Sequence, residues 1–251
     1  MSRQPTTEAN KGLRLSGRAR RTQIAHIFKA VAFQHHKALI PILRPLLPED
    51  GLVLDVGAHA GQMAKLFARL VPSGRIYAFE PGQYALSVLR PAVALRGRGR
   101  IEIVESALGA KPGTLTINTP VKRTGSYGFG LSHLGAAEAR ASVSHAVAVD
   151  TIDEFVRRRN LARVDFIKAD IEGWEMQMLL GANETLARFR PALMLEVNDA
   201  HLARAGDTRA ALWRFLTERN YRPCRVKVGT PPFGPEADGD IVWIPAERAL
   251  G

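Results

Sequence analysis

The chain has 251 residues, of which 46% are hydrophobic and 24% are charged. This balance predicts one sizeable folded domain with a short appendage and excludes a natively disordered chain. The net charge of +11 is compatible with a nucleic acid, an acidic membrane surface or an anionic substrate as partner, or with solubility alone. The single cysteine excludes an internal disulfide framework and a zinc site built from several thiolates.

Residues 1–50 are predicted to form a basic N-terminal arm and helix. They hold nine basic and three acidic residues, a net charge of +6. Apolar positions recur at spacings of three and four from Thr22, a candidate N-cap, and predict a helix that ends between His36 and Ile40, after a flexible arm over residues 1–19. Without a membrane-spanning run or a secretory signal, we expect a cytoplasmic protein with peripheral contact at the membrane.

From residue 51 onward, short apolar runs alternate with segments of helical period. The runs predict buried strands at Leu52–Val56, Arg75–Phe79, Ile101–Val104, Val164–Ala169 and Ala192–Val197. The intervening segments predict helices near Ala60–Leu70, Tyr84–Leu95, Thr151–Asn160, Trp174–Phe189 and Thr208–Asn220. This alternation predicts an α/β fold with a mostly parallel sheet and helices on both faces.

Two regions interrupt the alternation. Gly113–Asn118 and His145–Val149 predict an extra strand pair that flanks a long loop over residues 122–135. Near the end of the chain, Arg225–Val228 and Ile241–Trp243 predict an antiparallel pair. Long loops at the strand ends of an open sheet tend to carry function.

A glycine turn follows the first strand in the sequence DVGAHAG, which begins at Asp55. A phosphate-binding loop is excluded because Gln62 follows Gly61 where that motif needs lysine. A dinucleotide-binding turn is disfavoured because the second glycine of its fingerprint is missing after Gly57 and because Asp55 would repel a pyrophosphate.

Carboxylates at the ends of the first two strands favour a cationic ligand that carries a ribose. Asp55 suits an ammonium or a sulfonium, and Glu80, 25 residues later, can accept both ribose hydroxyls. Gly57 and Gly61 let the backbone approach a ligand closely. The combination favours S-adenosylmethionine, while a structural turn beside two solvated acids is the alternative.

The sequence resembles the FkbM family of S-adenosylmethionine-dependent methyltransferases. Many methyltransferases share the outlines of the glycine turn and of AFEP at residues 78–81. DFIKADIEG at 165–173 is more specific, and it is followed by LGA at 180–182 and by RP leading into LEV at 190–197. The family usually shows IKIDVEG and then LxGA in this order. His59 departs from the family, which commonly has asparagine there.

The resemblance covers about residues 50–222 and implies a Rossmann-like class I methyltransferase fold. Such a fold has a seven-stranded, mostly parallel sheet with an antiparallel C-terminal hairpin, and here an inserted strand pair after strand three. We expect it to occupy residues 51–251. It implies S-adenosylmethionine as cofactor and methylation of a hydroxyl on a saccharide, glycolipid or natural product. The residues expected to bind the cofactor are Asp55, Gly57, His59, Gly61, Glu80, Pro81, Ser106, Ala107 and Asp170.

Methylation of a hydroxyl requires a group that takes up its proton. Asp170 and Glu172 follow the fourth strand, which we expect beside the first, and Lys168 shares a face with Asp170. With His133 in the inserted loop, these are the candidate catalytic residues. Glu172 as a helix cap and His133 as a surface histidine remain open alternatives. His201, after the fifth strand, is a further candidate base, and a surface histidine is the alternative for it as well.

Asp170, Glu196 and Asn198 offer three oxygen ligands at neighbouring strand ends. This set resembles the magnesium site of catechol-type methyltransferases, in which the metal lowers the pKa of the acceptor hydroxyl. We therefore include Mg²⁺ as a candidate cofactor, although carboxylates in a crevice equally bind hydroxyls directly.

Two other functions remain open at this stage. The basic N-terminal arm favours an RNA methyltransferase that anchors phosphates, but the sequence contains no recognisable RNA-binding module. A protein that binds S-adenosylmethionine without catalysis is the other. The sequence does not predict the oligomeric state.

Overall fold

A computed structural model describes residues 17–97, 99–120, 133–134, 142–224 and 239–248. Its strands are β1 Leu52–Val56, β2 Arg75–Phe79, β3 Ile101–Val104, β4 Ala107–Leu108, β5 Gly113–Pro120, β6 His133–Leu134, β7 Ser142–Asp150, β8 Phe166–Ala169, β9 Ala192–Val197, β10 Tyr221–Cys224 and β11 Gly239–Pro245. Its helices are α1 Gly17–Ala32, α2 Ile40–Leu43, α3 Gln62–Leu70, α4 Gln83–Arg96, α5 Ile152–Arg158, α6 Glu175–Leu180, α7 Asn183–Phe189, α8 Asp199–Arg204 and α9 Arg209–Glu218.

The main sheet has seven strands in the order β10-β11-β9-β8-β1-β2-β3. β1 pairs in parallel with β2 on one side and with β8 on the other, while β11 runs antiparallel to both β9 and β10. The predicted mostly parallel sheet with a C-terminal hairpin is confirmed. The chain order reverses between β1 and β8, which is where open sheets of this type bind ligands, at the carboxyl ends of the strands.

Both faces of this sheet are buried, because side chains alternate between them along each strand. On β1, Leu54 and Val56 contribute to the core covered by α5 to α9, whereas Val53 contributes to the core covered by α2, α3 and α4. The predicted helices on both faces are therefore confirmed. None of the helices in the described part of the chain is long and apolar enough to cross a membrane.

A second sheet of four strands follows β3, in the order β4-β7-β5-β6. Its centre is the predicted strand pair, in which β5 and β7 pair antiparallel from Gly113 opposite Val149 to Pro120 opposite Ser142. Most of the predicted loop 122–135 lies outside the described residues, but the short strand β6 places His133 opposite Asn118.

The helix predicted as continuous over residues 174–189 is two helices, α6 and α7. The break falls at Gly181, where a Cβ would stand 2.1 Å from the carbonyl oxygen of Gly109. The carbonyl oxygen of Gly181 also accepts a hydrogen bond from the backbone N–H of Asp153. This close approach between distant segments interrupts a pattern that locally favours one helix.

In the C-terminal strand pair, β11 contains the predicted strand Ile241–Trp243. The strand paired with β11 is Tyr221–Cys224, and the predicted Arg225–Val228 lies outside the described residues.

The N-terminal helix differs from its prediction at both ends. α1 begins at Gly17 and ends at Ala32, so the expected N-cap Thr22 lies inside it. α1 packs on α4, with Ala30 buried against Val88 and Ala92. Of the predicted flexible arm, residues 1–16 lie outside the described residues.

Candidate active site

The glycine turn after β1 lies against the end of β8. Gly57 and Gly61 both have left-handed backbones, with φ of +73° and +75°. A Cβ at Gly57 would stand 2.1 Å from the carbonyl oxygen of Asp170. The backbone N–H groups of Gly57 and Ala58 donate to the carbonyl oxygen of Phe79 at 3.0 and 2.9 Å, which fixes the turn to β2. Gly57 therefore lies where the ends of β1, β2 and β8 meet.

The carboxylate of Glu80 is held in one orientation at the end of β2. Its Oε2 accepts the backbone N–H of His59 and its Oε1 accepts that of Gly82, both at 2.8 Å. Burial raises the pKa of Glu80 to about 7, and these two N–H donors oppose the rise. Each oxygen keeps a second lone pair, so the fixed carboxylate suits a ribose diol. Pro81 lies between Glu80 and Gly82, in the connection to α4.

Lys168 is a buried cation between two of the predicted site carboxylates. Its Nζ lies 3.8 Å from Oδ1 of Asp55 and 3.5 Å from Oδ2 of Asp170, and it donates to the carbonyl oxygen of Gly57 at 3.2 Å. Burial alone would lower the pKa of Lys168, but Asp55, Asp170 and Asp240 outweigh it, so the pKa lies above its ordinary value. Lys168 thus positions the turn and both acids.

Asp55 has no exposed surface, whereas the side chain of Asp170 is 47% exposed. Burial raises the pKa of Asp55 to about 6, although Lys168 opposes this rise. The structure therefore places Asp55 beneath the glycine turn, as the partner of Lys168. Asp170 is the carboxylate of this group that faces solvent at the sheet edge.

A second group of ionisable side chains occupies the ends of β8 and β9. The Nδ1 atom of His201 lies 3.2 Å from Oε2 of Glu172 and 3.6 Å from Oε2 of Glu196. Burial raises the pKa of Glu196 to about 8, and Asp170, Glu172 and Glu175 add to this rise. The surroundings of Glu196 therefore favour its protonated form. We call Asp170, Glu172, Glu196 and His201 the acid–base cluster.

The turn that carries Glu172 is fixed by close packing on α8. Glu172 has φ of +59° and Gly173 has φ of +101°. A Cβ at Gly173 would stand 2.1 Å from the carbonyl oxygen of His201. Arg204 lies 3.6 Å from Oε2 of Glu172, on the same side as His201. In this turn it is Glu175 that accepts the backbone N–H of Ile171, so the Glu172 carboxylate is directed to His201 and Arg204.

The predicted magnesium site is not formed. The side-chain oxygen of Asn198 accepts the backbone N–H of His201 at 3.1 Å and acts as the N-cap of α8. Glu196 shares a hydrogen bond with Asp170 instead of presenting a free carboxylate beside it. Within the ranges that the structure describes, no three His, Cys, Asp or Glu side chains are grouped so that they could hold a metal ion.

Two buried polar atoms, one after β3 and one in the turn after β8, have no hydrogen-bond partner among the described residues. In the described part of the chain, the Ser106 Oγ and the Trp174 Nε1 are buried and make no hydrogen bond. Ser106 and Ala107 lie between β3 and β4, and a Cβ at Gly109 would stand 3.3 Å from the Trp174 indole nitrogen. Unsatisfied buried polar groups are costly, so these two atoms are candidates for contact with a ligand.

Of the two predicted site histidines His59 and His133, the structure describes the side chain of His59. Burial lowers the pKa of His59 to about 4, so this side chain is neutral at physiological pH. The backbone of His133 lies in β6, but its side chain lies outside the described residues.

His201 was the member of the acid–base cluster that the sequence pointed to least. It lies four residues beyond the end of β9, outside any recognised motif. The available signal is the pair Asn198 and His201, since an asparagine three residues before a helical histidine is typical of a capped helix start.

The strand order, the switch point and the glycine turn define a Rossmann-like class I methyltransferase fold. The family model described as the methyltransferase FkbM domain matches residues 55–223. The chain therefore belongs to the FkbM family of S-adenosylmethionine-dependent methyltransferases.

Two characterised relatives match over part of their length. Methyltransferase sdnD from Sordaria araneosa is 25% identical over 162 residues, which cover 55% of this chain and 62% of the relative. The 2-O-methyltransferase NoeI from Sinorhizobium fredii is 24% identical over 164 residues, 62% of this chain and 65% of the relative. The chain thus spans less than two thirds of the length of these relatives.

Two solved structures share the fold. Methyltransferase FkbM from Methylobacillus flagellatus has a TM-score of 0.50 at 15% identity, covering 88% of this chain and 59% of the other. The O-methyltransferase TomG from Streptomyces achromogenes, solved with S-adenosylmethionine, has a TM-score of 0.50 at 12% identity and covers 88% of each chain.

Proposed function

We propose that the chain transfers a methyl group from S-adenosylmethionine to a hydroxyl of a small molecule or saccharide. The observation that carries this proposal is the acid–base cluster at the ends of β8 and β9, beside the glycine turn of β1. A hydroxyl is a poor nucleophile until its proton is taken up, and this cluster is built to take up a proton. The names of NoeI and TomG, which specify O-methylation, support the same reaction.

The residues around the turn fit the cofactor. Glu80 would hold the ribose, Ser106 and Trp174 would meet the adenine, and the turn from Gly57 to Gly61 would line the methionine part. When bound, S-adenosylmethionine supplies a methyl group that its sulfonium already activates. What the chain contributes is position, since a well-oriented acceptor lowers the barrier by several kcal/mol, roughly 7 or more in the best cases.

Within the cluster, His201 is the proposed proton acceptor. Glu172 and Glu196 face its Nδ1, which leaves Nε2 to receive the proton from the acceptor hydroxyl. Once Nε2 has taken the proton of the acceptor hydroxyl, the negative charge of Glu172 would stabilise the positive imidazolium. Arg204, 3.6 Å from Glu172, forms an ion pair with that carboxylate on the same side of the cluster.

The charge of the cluster favours a neutral, hydroxyl-rich acceptor. Three carboxyl groups offer many hydrogen-bond acceptors to sugar hydroxyls, and Asp170 is the most exposed of the three. The negative charges of Asp170 and Glu172 would repel the phosphates of an RNA close to the reacting atom. This favours a saccharide, glycolipid or natural product over RNA.

The test separates proton uptake from cofactor binding. We expect His201→Gln to bind S-adenosylmethionine as the wild type does in calorimetry, but to transfer methyl groups to a panel of hydroxyl acceptors about 100-fold more slowly. Glu172→Gln should lose less, because His201 remains. Glu218→Gln, an exposed acid on α9, is the matched control and should keep full activity.

Two outcomes would contradict the proposal. Undiminished turnover by His201→Gln would remove the histidine from the reaction. The absence of any heat when S-adenosylmethionine is titrated into the wild type would contradict methyl transfer altogether.

A further inference from the structure

Ile24 and Phe28 on α1 form an exposed apolar ridge together with Phe33, which directly follows the helix. Their exposed fractions are 64%, 65% and 51%, and within the described residues they are three of the five exposed large hydrophobic side chains. Ile24 and Phe28 are four residues apart and so lie on one face of the helix. Phe33 follows the helix, and its ring meets that of Phe28 edge to face at 6.3 Å.

The opposite face of α1 is firmly attached to the methyltransferase domain. Gln23 donates to the Ser87 hydroxyl at 2.7 Å, and the His26 ring is hydrogen-bonded to the Tyr84 hydroxyl at 2.9 Å. The buried Ala30 packs in a small apolar cluster with α4. The ridge therefore points outward on a helix whose rotation is fixed, and it does not belong to the core.

Exposed cations flank the ridge residues in the sequence. Arg20, Arg21, Lys29 and Lys37 are exposed, and within the described ranges none of them is paired with a carboxylate. No acidic residue occurs between Glu8 and Glu49 in the sequence. The surface thus combines an apolar centre with an uncompensated positive rim.

We propose that this face of α1 docks on an anionic lipid surface. The ridge would enter the boundary between headgroups and acyl chains while the flanking arginines and lysines contact the lipid phosphates, as in interfacial amphipathic helices. An RNA would meet the apolar side chains at the centre of the face, where phosphate contacts require cations. A second copy of the same face would bring cation against cation. The inference does not depend on the proposed O-methylation.

Vesicle sedimentation tests this proposal with the full chain. Wild type should bind vesicles of phosphatidylcholine mixed with phosphatidylglycerol, should bind vesicles of phosphatidylcholine alone far more weakly, and should dissociate as salt is added. The double variant Ile24→Ser, Phe28→Ser should lose at least about tenfold in binding, given the usual free energy of burying such side chains. Leu95→Ser, which removes an apolar side chain 67% exposed on α4, is the matched control.

A charge pair completes the design. Arg21→Gln with Lys29→Gln should weaken binding and reduce its salt dependence, whereas Arg214→Gln on α9 should change neither. Circular dichroism of each variant verifies folding. Equal binding to neutral vesicles, equal loss with Leu95→Ser, or RNA binding in place of vesicle binding would each overturn the proposal.

Discussion

At the scale of single residues, the site depends on backbone positions that only glycine can occupy. Gly57 combines a left-handed φ with a carbonyl oxygen 2.1 Å from where a Cβ would be. Gly99 has a similar φ of +72° but has open space at that position. A comparison of alanine substitutions at these two glycines therefore separates the cost of backbone strain from the cost of a steric clash.

We expect Gly99→Ala to lower the free energy of unfolding by about 1 to 2 kcal/mol, the cost of a left-handed alanine. Gly57→Ala adds displacement of the β8 end, so its loss should be larger, roughly 3 kcal/mol, and cofactor binding should weaken. Urea denaturation and calorimetry measure both quantities. Equal losses of unfolding free energy in the two variants would show that the backbone at Asp170 moves away from the added Cβ without an energetic cost.

The sequence motifs predict the site residues that lie within one motif, but they do not predict the contacts between motifs. The motif at residues 165–173 named Lys168, Asp170 and Glu172, but nothing in it shows that Lys168 is buried between two acids. Asn198 was predicted as a metal ligand because its oxygen lies at a strand end. Its use as a helix cap depends on the start of α8, which the sequence analysis did not predict.

At the scale of elements, α1 is held at its C-terminal end by one buried lysine. Nζ of Lys65, on α3, donates to the carbonyl oxygens of Ala30 and Phe33, the latter at 3.1 Å. A cation at this position satisfies carbonyl groups that lack partners within the helix and complements the helix dipole. Burial lowers the pKa of Lys65 to about 8, and Arg69 and Arg96 add to this effect.

Lys65→Met should free the end of α1 without unfolding the domain. Hydrogen bonds to a charged group stabilise by about 1.5 to 3 kcal/mol, so amide exchange near Ala30 and Phe33 should accelerate about tenfold or more. Hydrogen–deuterium exchange with peptide resolution measures this. Arg69→Met, at an exposed position of α3, is the control and should leave amide exchange in α1 unchanged. If exchange in α1 were also unchanged in Lys65→Met, contacts other than Lys65 would hold α1.

The elements that were predicted well are those whose pattern is set by burial in the main sheet. β1, β2 and β9 have the predicted bounds because their apolar runs lie between two covered faces. The predicted bounds are wrong where contact with a distant segment sets the end of an element, as at Gly181, which the tertiary structure brings against Gly109. The start of α1 at Gly17 was missed because its first turn is polar and basic and gives no apolar period.

At the scale of the whole molecule, buried carboxyl groups with raised pKa values make stability depend on pH. The values are about 7 for Glu80, about 7 for Glu175 and about 8 for Glu196, each raised chiefly by burial from 4.5. Each group prefers its protonated form in the folded state. The stabilisation is complete below pH 4.5 and is lost as the pH rises through the folded pKa.

We therefore expect the melting temperature of the ligand-free chain to fall between pH 6.5 and pH 8. Above its ordinary pKa of 6.5, His59 is neutral in both states and does not oppose this trend. Glu175→Gln should make the fall shallower, whereas the exposed Glu218→Gln should not. Scanning calorimetry at constant ionic strength measures these slopes. A melting temperature that rises over this interval would show that the carboxyls are ionised in the fold.

The position of β11 has a consequence for how the chain folds as it is synthesised. β11 lies between β9 and β10, and in the described sheet β10 pairs with no other strand. Until residues 239–245 have been made, β9 is an uncovered edge and β10 has no place in the sheet. The ribosome must therefore reach residue 245 before the sheet can close, and during that interval a hydrophobic strand edge is open to pairing with other chains.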